Sequence, residues 1–91
     1  MNELKILLWN LQDFFVFLDK YNDQPPIEEL TEAKWQLLTA SFKPNKDLAK
    51  VQGIQKLIHS TQADILLFTE VGGKESLINF NKYFLKNEYT V

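Results

Sequence analysis

The sequence contains no cysteine, which excludes disulfides and thiolate metal sites and implies no oxidising compartment. It holds one histidine, His59, so imidazole chemistry has a single candidate. Neither sign of charge is in excess: 10 basic against 12 acidic residues leave a formal net charge of −2. That balance provides no electrostatic footprint for non-specific binding to nucleic acid or to an anionic membrane. A nucleic-acid substrate handled through a metal ion stays compatible with it. Long hydrophobic runs are missing too. The run Ile6–Trp9 follows one basic side chain, Lys5, and stops at Asn10. This is too short for a signal-peptide core or a membrane span. A cytoplasmic chain with no membrane partner is expected. No internal repeat or low-complexity segment is present.

What is there is core-forming material. Of the 91 residues, 45% are hydrophobic and 13% aromatic, enough for a small core but with little stability margin at this size. The stretch 5–9 reads as a buried strand ending at Asn10. Phe14 to Tyr21, "FFVFLDKY", reads as a short helix or an ordered turn, and Pro25 and Pro26 then break regular structure. Ile27, Leu30, Ala33, Leu37 and Leu38 follow helical spacing and predict a helix from 27 to about 40. Pro26 and the acidic Glu28, Glu29 and Glu32 suit its N-terminal end. A second helix is predicted from Asp47 as N-cap, with Leu48, Val51, Ile54 or Gln55, and Ile58 as its buried stripe. Gly53 lies inside it, which close packing on a sheet would explain.

The stretch "ADILLFTEVGG", 63–73, reads as a second strand ending at Glu70, then a turn. Its unbroken apolar run suits a strand covered on both faces. A third helix follows, with Leu77, Phe80 or Asn81, and Phe84 on its apolar face, and "EYTV" is read as the start of another strand. This alternation predicts an α/β fold, strand–helices–strand–helix. A parallel pair, 5–9 with 64–69, would bring the carboxyl ends of both strands to one edge, where open α/β sheets bind ligands. Asn10 and Glu70, sixty positions apart, are therefore expected side by side.

A carboxylate beside a carboxamide makes a sparse oxygen-rich site of the kind Mg²⁺ uses. That ion often takes one or two protein carboxylates, with waters and substrate phosphate completing its shell. Glu70 is the natural direct ligand. Asn10 would either contact the metal or donate to a phosphate oxygen. Taken as chemistry alone the pattern is weak, because a Glu after a strand and an Asn in a turn are common.

"ILLWNLQDFF" followed by "ADILLFTEVGG" resembles the opening of the endonuclease/exonuclease/phosphatase family, the DNase I-like enzymes. Trp9-Asn10 is similar to that family's first motif, and Asp64-Ile65 with Glu70-Val71 to its second. The resemblance implies a partial α/β sandwich over residues 1–91, the N-terminal segment of a DNase I-like domain. It implies that Asn10 and Glu70 are catalytic and metal-site residues, with Mg²⁺ or alternatively Mn²⁺ as cofactor. It implies a phosphate ester, nucleic acid or small molecule, as substrate of the longer protein. The family's later motifs, with their catalytic histidine, are absent. His59 sits beside the buried stripe of a helix rather than at a strand end. The chain alone is therefore expected to be inactive.

Other residues invite plainer readings. Asp13 would add a second carboxylate to the ion, but a turn residue capping "FFVFL" is favoured. Trp35 and the cluster Phe14, Phe15, Phe17 suit a core better than base stacking, since no basic stripe accompanies them. Gly72-Gly73 lacks the Gly-Lys-Ser/Thr ending of a P-loop and reads as a turn, with Lys74 solvated. The alternative function is non-catalytic: a small α/β domain that binds a partner or itself. Half a sandwich exposes the inner face of its sheet, at Ile6, Leu8, Leu66 and Phe68 or their alternates, and a homodimer through that face is expected.

Overall fold

The apolar runs on either side of the helical connection form the two strands of one parallel sheet, β1 (Ile6–Phe14) and β2 (Ile65–Val71). The computed structural model describes residues 3–91. Ile6 pairs with Ile65, Leu8 with Leu67 and Asn10 with Thr69. Three helices accompany the sheet: α1 (Glu32–Gln36), α2 (Leu48–Thr61) and α3 (Lys74–Tyr83). The chain is thus a small α/β unit with the expected element order. Both strands run beyond their predicted ends.

Side chains alternate across the sheet because successive residues point to opposite faces. Leu7, Trp9, Leu66 and Phe68 are half-buried and pack against the core. On the other face Ile6, Leu8, Ile65 and Leu67 are exposed, Leu8 at 73%. The bare face was expected, but on β2 it consists of Ile65 and Leu67, one residue along from Leu66 and Phe68. The parallel register sets this parity. β2 is accordingly not covered on both faces.

The core is aromatic at its centre. Phe14 meets Phe80 edge-on at 5.1 Å, and Trp35 meets Phe84 edge-on at 5.6 Å. All four rings are buried. Trp35 satisfies its indole N–H by donating to the Lys46 carbonyl at 2.8 Å. Leu48, Val51, Ile54 and Ile58 form the buried stripe of α2, as the periodicity predicts. Asp47 stands at the N-cap position, although its side chain caps nothing. The Leu48 N–H is taken instead by the Glu32 carboxylate of α1 at 2.7 Å. That bond ties the short helix to the long one.

Three local expectations are corrected. Of the two readings of "FFVFLDKY", a short helix or an ordered turn, the helix does not form. Residues 14–18 are extended, with Phe14, Val16 and Leu18 buried and Phe15 and Phe17 half-buried, a period of two. A turn closes the stretch, Tyr21 N–H donating to the Leu18 carbonyl at 2.9 Å. Side chains satisfy its backbone in place of a helix or ladder. Val16 N–H donates to Ser76 Oγ, Phe17 N–H to Asn45 Oδ1, and Asn79 Nδ2 to the Val16 carbonyl. The helix expected from 27 to 40 is a 3-10 turn (Ile27–Glu29) and then the five residues of α1. Leu30 is extended, and Thr31 caps α1 by accepting from Lys34 N–H at 3.2 Å. Ala33 and Leu37 are consequently exposed. "EYTV" forms no strand. Asn81 clasps the Tyr89 backbone through both its amide atoms, and the Tyr89 hydroxyl donates to the Ala63 carbonyl at 2.6 Å. Burial, reinforced by nearby Glu88 and Asp64, pushes the Tyr89 hydroxyl pKa up.

Candidate metal and phosphate site

Asn10 and Glu70 meet where the regular pairing of the two strands stops, midway along β1 and one residue before the end of β2. Asn10 Nδ2 donates to the Glu70 carboxylate. The other atom of the amide is used as well: Asn10 Oδ1 accepts the Gln12 N–H at 3.0 Å. The carboxamide is held from both sides, and it aims an N–H at one carboxylate oxygen of Glu70. Both residues are exposed, so the carboxylate keeps access to water.

The strands become irregular at this point. Asn10 pairs with Thr69 and Phe14 with Val71, so β1 spends residues 11–13 where β2 spends Glu70 alone. The mismatch is absorbed by left-handed backbone at Gln12 (φ 44°), Asp13 (φ 51°) and Glu70 (φ 57°). None is glycine, and each conformation costs an L-residue free energy. β-bulges of this kind re-aim side chains and are enriched beside functional sites. Strained residues persist where the surrounding structure over-determines them. Here the over-determination is visible: the Phe14 carbonyl accepts from Gly72 N–H at 2.8 Å, Gln12 N–H is held by Asn10, and the Gln12 carbonyl accepts from Lys46 Nζ at 2.8 Å.

A divalent ion fits this donor set in one way. Glu70 offers a solvent-facing carboxylate, while the Asn10 amide is turned so that its nitrogen faces that carboxylate. The pair suits an ion with one direct protein ligand and waters elsewhere, which is within the habit of Mg²⁺. Among the described residues, no group of three or more His, Asp or Glu side chains converges to hold a metal. Asp13 is a bulge residue whose carbonyl accepts the Phe15 N–H, in keeping with the turn reading.

The remaining candidates lie elsewhere. His59 is exposed in the last turn of α2, beside a cleft lined by Gln62, Asp64 and Tyr89. That is the amino end of β2, opposite to Glu70. Asp64 has a structural partner, accepting the Lys5 N–H at 2.8 Å and joining the starts of the strands. The glycine pair is explained by packing. A side chain at Gly72 would run into the Phe15 ring and the Ser76 hydroxyl, and Gly73 has φ 94°. Lys74 is exposed at the start of α3. Gly53 is not a close-packing glycine, since a Cβ there meets nothing within 4 Å.

What the sequence reading missed is cationic. Lys46 and Lys50 reach a cleft of about 310 Å³ that also touches Asn10, Gln12 and Gly53. Their spacing in "NKDLAK" carries no motif, and only the fold of α2 against the bulge brings them there. No protein-family model, no curated protein and no solved structure matches the chain. No helix among the described residues is long and apolar enough to cross a membrane.

Proposed function

We propose that this chain supplies the Asn10–Glu70 part of a divalent-metal phosphoester-hydrolysing site, as the N-terminal segment of a DNase I-like, two-sheet domain working in the cytoplasm. The observation that carries this reading is the pairing of the Asn10 amide with the Glu70 carboxylate at the bulge between the strands, held there by left-handed backbone. Glu70 is the direct ligand of Mg²⁺ or Mn²⁺. Asn10 orients that carboxylate and offers an N–H on the same side. A bound ion at this point supplies polarisation of a phosphoryl oxygen and stabilisation of a leaving oxyanion. Hydrolysis also needs a base to activate water. The only imidazole, His59, is at the far end of β2, so the isolated chain is expected to turn over no phosphoester.

Paramagnetic Mn²⁺ tests the metal half directly. Added to labelled protein, it should broaden the amide signals of residues 10–13 and 69–73 before any others. Glu70→Gln should abolish that selectivity. Uniform broadening, or the same pattern in the Glu70→Gln protein, would overturn the assignment.

The bare aliphatic face favours a second reading, self-association through the sheet. Ile6, Leu8, Ile65 and Leu67 form an uncharged patch two strands wide, which a second copy covers with the same residues about a two-fold axis. The two readings are compatible, because Asn10 and Glu70 lie where the regular pairing stops, beyond the patch of Ile6, Leu8, Ile65 and Leu67.

A further inference from the structure

We infer that the cleft between the β1 bulge and the first turns of α2 binds a second phosphate, so that the substrate of the Asn10–Glu70 site carries more than one phosphate group. The substrate part of this inference rests on the phosphoester reading above, whereas the anion cleft stands on its own geometry.

The cleft, about 310 Å³, is lined by Lys46, Lys50, Asn10, Gln12 and Gly53, with Trp9 as an apolar wall. No carboxylate lines it, although the chain as a whole is negative. α2 itself carries no acid; its N-cap residue Asp47 has its carboxylate 3.9 Å from Lys50 Nζ, both side chains being well exposed. Exposed pairs of that length hold their partners weakly, which leaves Lys50 free to turn to a ligand. Lys46 uses one of its three N–H donors on the Gln12 carbonyl. That bond fixes the ammonium against the bulge with donors to spare.

A chain of contacts joins the cleft to the candidate metal site. Lys46 Nζ holds the Gln12 carbonyl, Gln12 N–H holds Asn10 Oδ1, and Asn10 Nδ2 holds Glu70. The two sites are thus flanks of one bulge, with Asn10 common to both. An ester whose reacting phosphate sits at Glu70 therefore meets cations one group away. Gly53 adds the room: its missing side chain opens onto empty space, where a larger residue would stand in the mouth of the cleft.

The test uses the full chain and inorganic phosphate with chelator present, followed by amide chemical shifts. Phosphate should move the signals of Gln12, Lys46, Lys50 and Gly53 together. Lys50→Gln, which leaves the Lys46–Gln12 contact intact, should weaken binding several-fold. Gly53→Leu, which keeps both charges and fills the cleft, should weaken it at least as much. Lys82→Gln, the same loss of charge on α3 away from the cleft, should bind phosphate as the parent does. No shift at these residues, or the parent's affinity retained in both Lys50→Gln and Gly53→Leu, would overturn the cleft. Phosphate binding without selective Mn²⁺ broadening would retain the cleft and remove the metal reading. For the substrate class, a 5′-phosphorylated dinucleotide should bind at least tenfold tighter than the unphosphorylated one, and equal affinity would overturn that part.

Discussion

Glu70 is the residue where conformation and chemistry conflict. A left-handed backbone suits glycine, yet a carboxylate occupies it, with φ 57°. Its bond to Asn10 is exposed, so the pair contributes little to stability. Replacing Glu70 by glycine should relieve the backbone cost and stabilise the fold by about 1 kcal/mol, while removing the proposed ligand. Urea denaturation of Glu70→Gly checks this. A clear loss of stability would mean that the carboxylate is structural. Trp35 illustrates the opposite case, a large side chain wholly enclosed and hydrogen-bonded. Trp35→Ala should cost about 3–5 kcal/mol, a large part of the roughly 5–15 kcal/mol available to a small domain. Loss of a cooperative thermal transition is the expected readout.

Among the elements, α2 is the most regular and still carries a defect that is open to repair. Gly53 lies mid-helix with free space where a methyl would go. Gly53→Ala should therefore stabilise by about 1 kcal/mol, the propensity difference alone, and a calorimetric melting temperature above that of the parent is the check. The segment after α3 is tied to the 3-10 turn by Lys86 Nζ, 2.9 Å from Glu28 Oε1. The Lys86 ammonium, hydrogen-bonded to Glu28, holds that carboxyl below its ordinary pKa. A lowered folded-state value stabilises above the ordinary glutamate pKa, and the contribution is lost as pH falls through the lowered value. Parent and Glu28→Gln proteins should differ in urea midpoint near about pH 7 and converge near about pH 3. Equal midpoints at both would show that the exposed pair contributes nothing.

The whole molecule is one layer of helices on one face of a two-stranded sheet, and the second face meets water. Covering a side chain such as Leu8 or Leu67 fully is worth about 1.5–3 kcal/mol, so a few of them together rival a small domain's stability. Among the described residues both strands also keep an unpaired edge, which invites association. The parent chain should sediment as a dimer at micromolar concentration, and Leu8→Thr with Leu67→Thr should shift it to monomer with the core intact. A monomeric parent would remove the self-association reading and leave the metal site untouched.

Some of this was legible in the residues themselves. The stripe of α2 follows from spacing, because a 3.6-residue period brings Leu48, Val51, Ile54 and Ile58 to one side. The meeting of Asn10 and Glu70 follows from topology, because a parallel pair in register from Ile6 with Ile65 brings Asn10 opposite Thr69, next to Glu70. The chemistry assigned to the pair is a proposal on that geometry. Tertiary structure decided the rest. Phe14 to Leu18 is extended because Ser76, Asn45 and Asn79, between 28 and 63 positions away, take its backbone groups, and no local propensity encodes partners at that range. The helix from Ile27 broke because Leu30 is buried as an extended residue and Thr31 restarts the count. The lysine cleft exists only because the left-handed turns at Gln12 and Asp13 bring the β1 backbone within reach of Lys46. Those turns in turn result from a mismatch between two strands, which neither strand's own sequence contains.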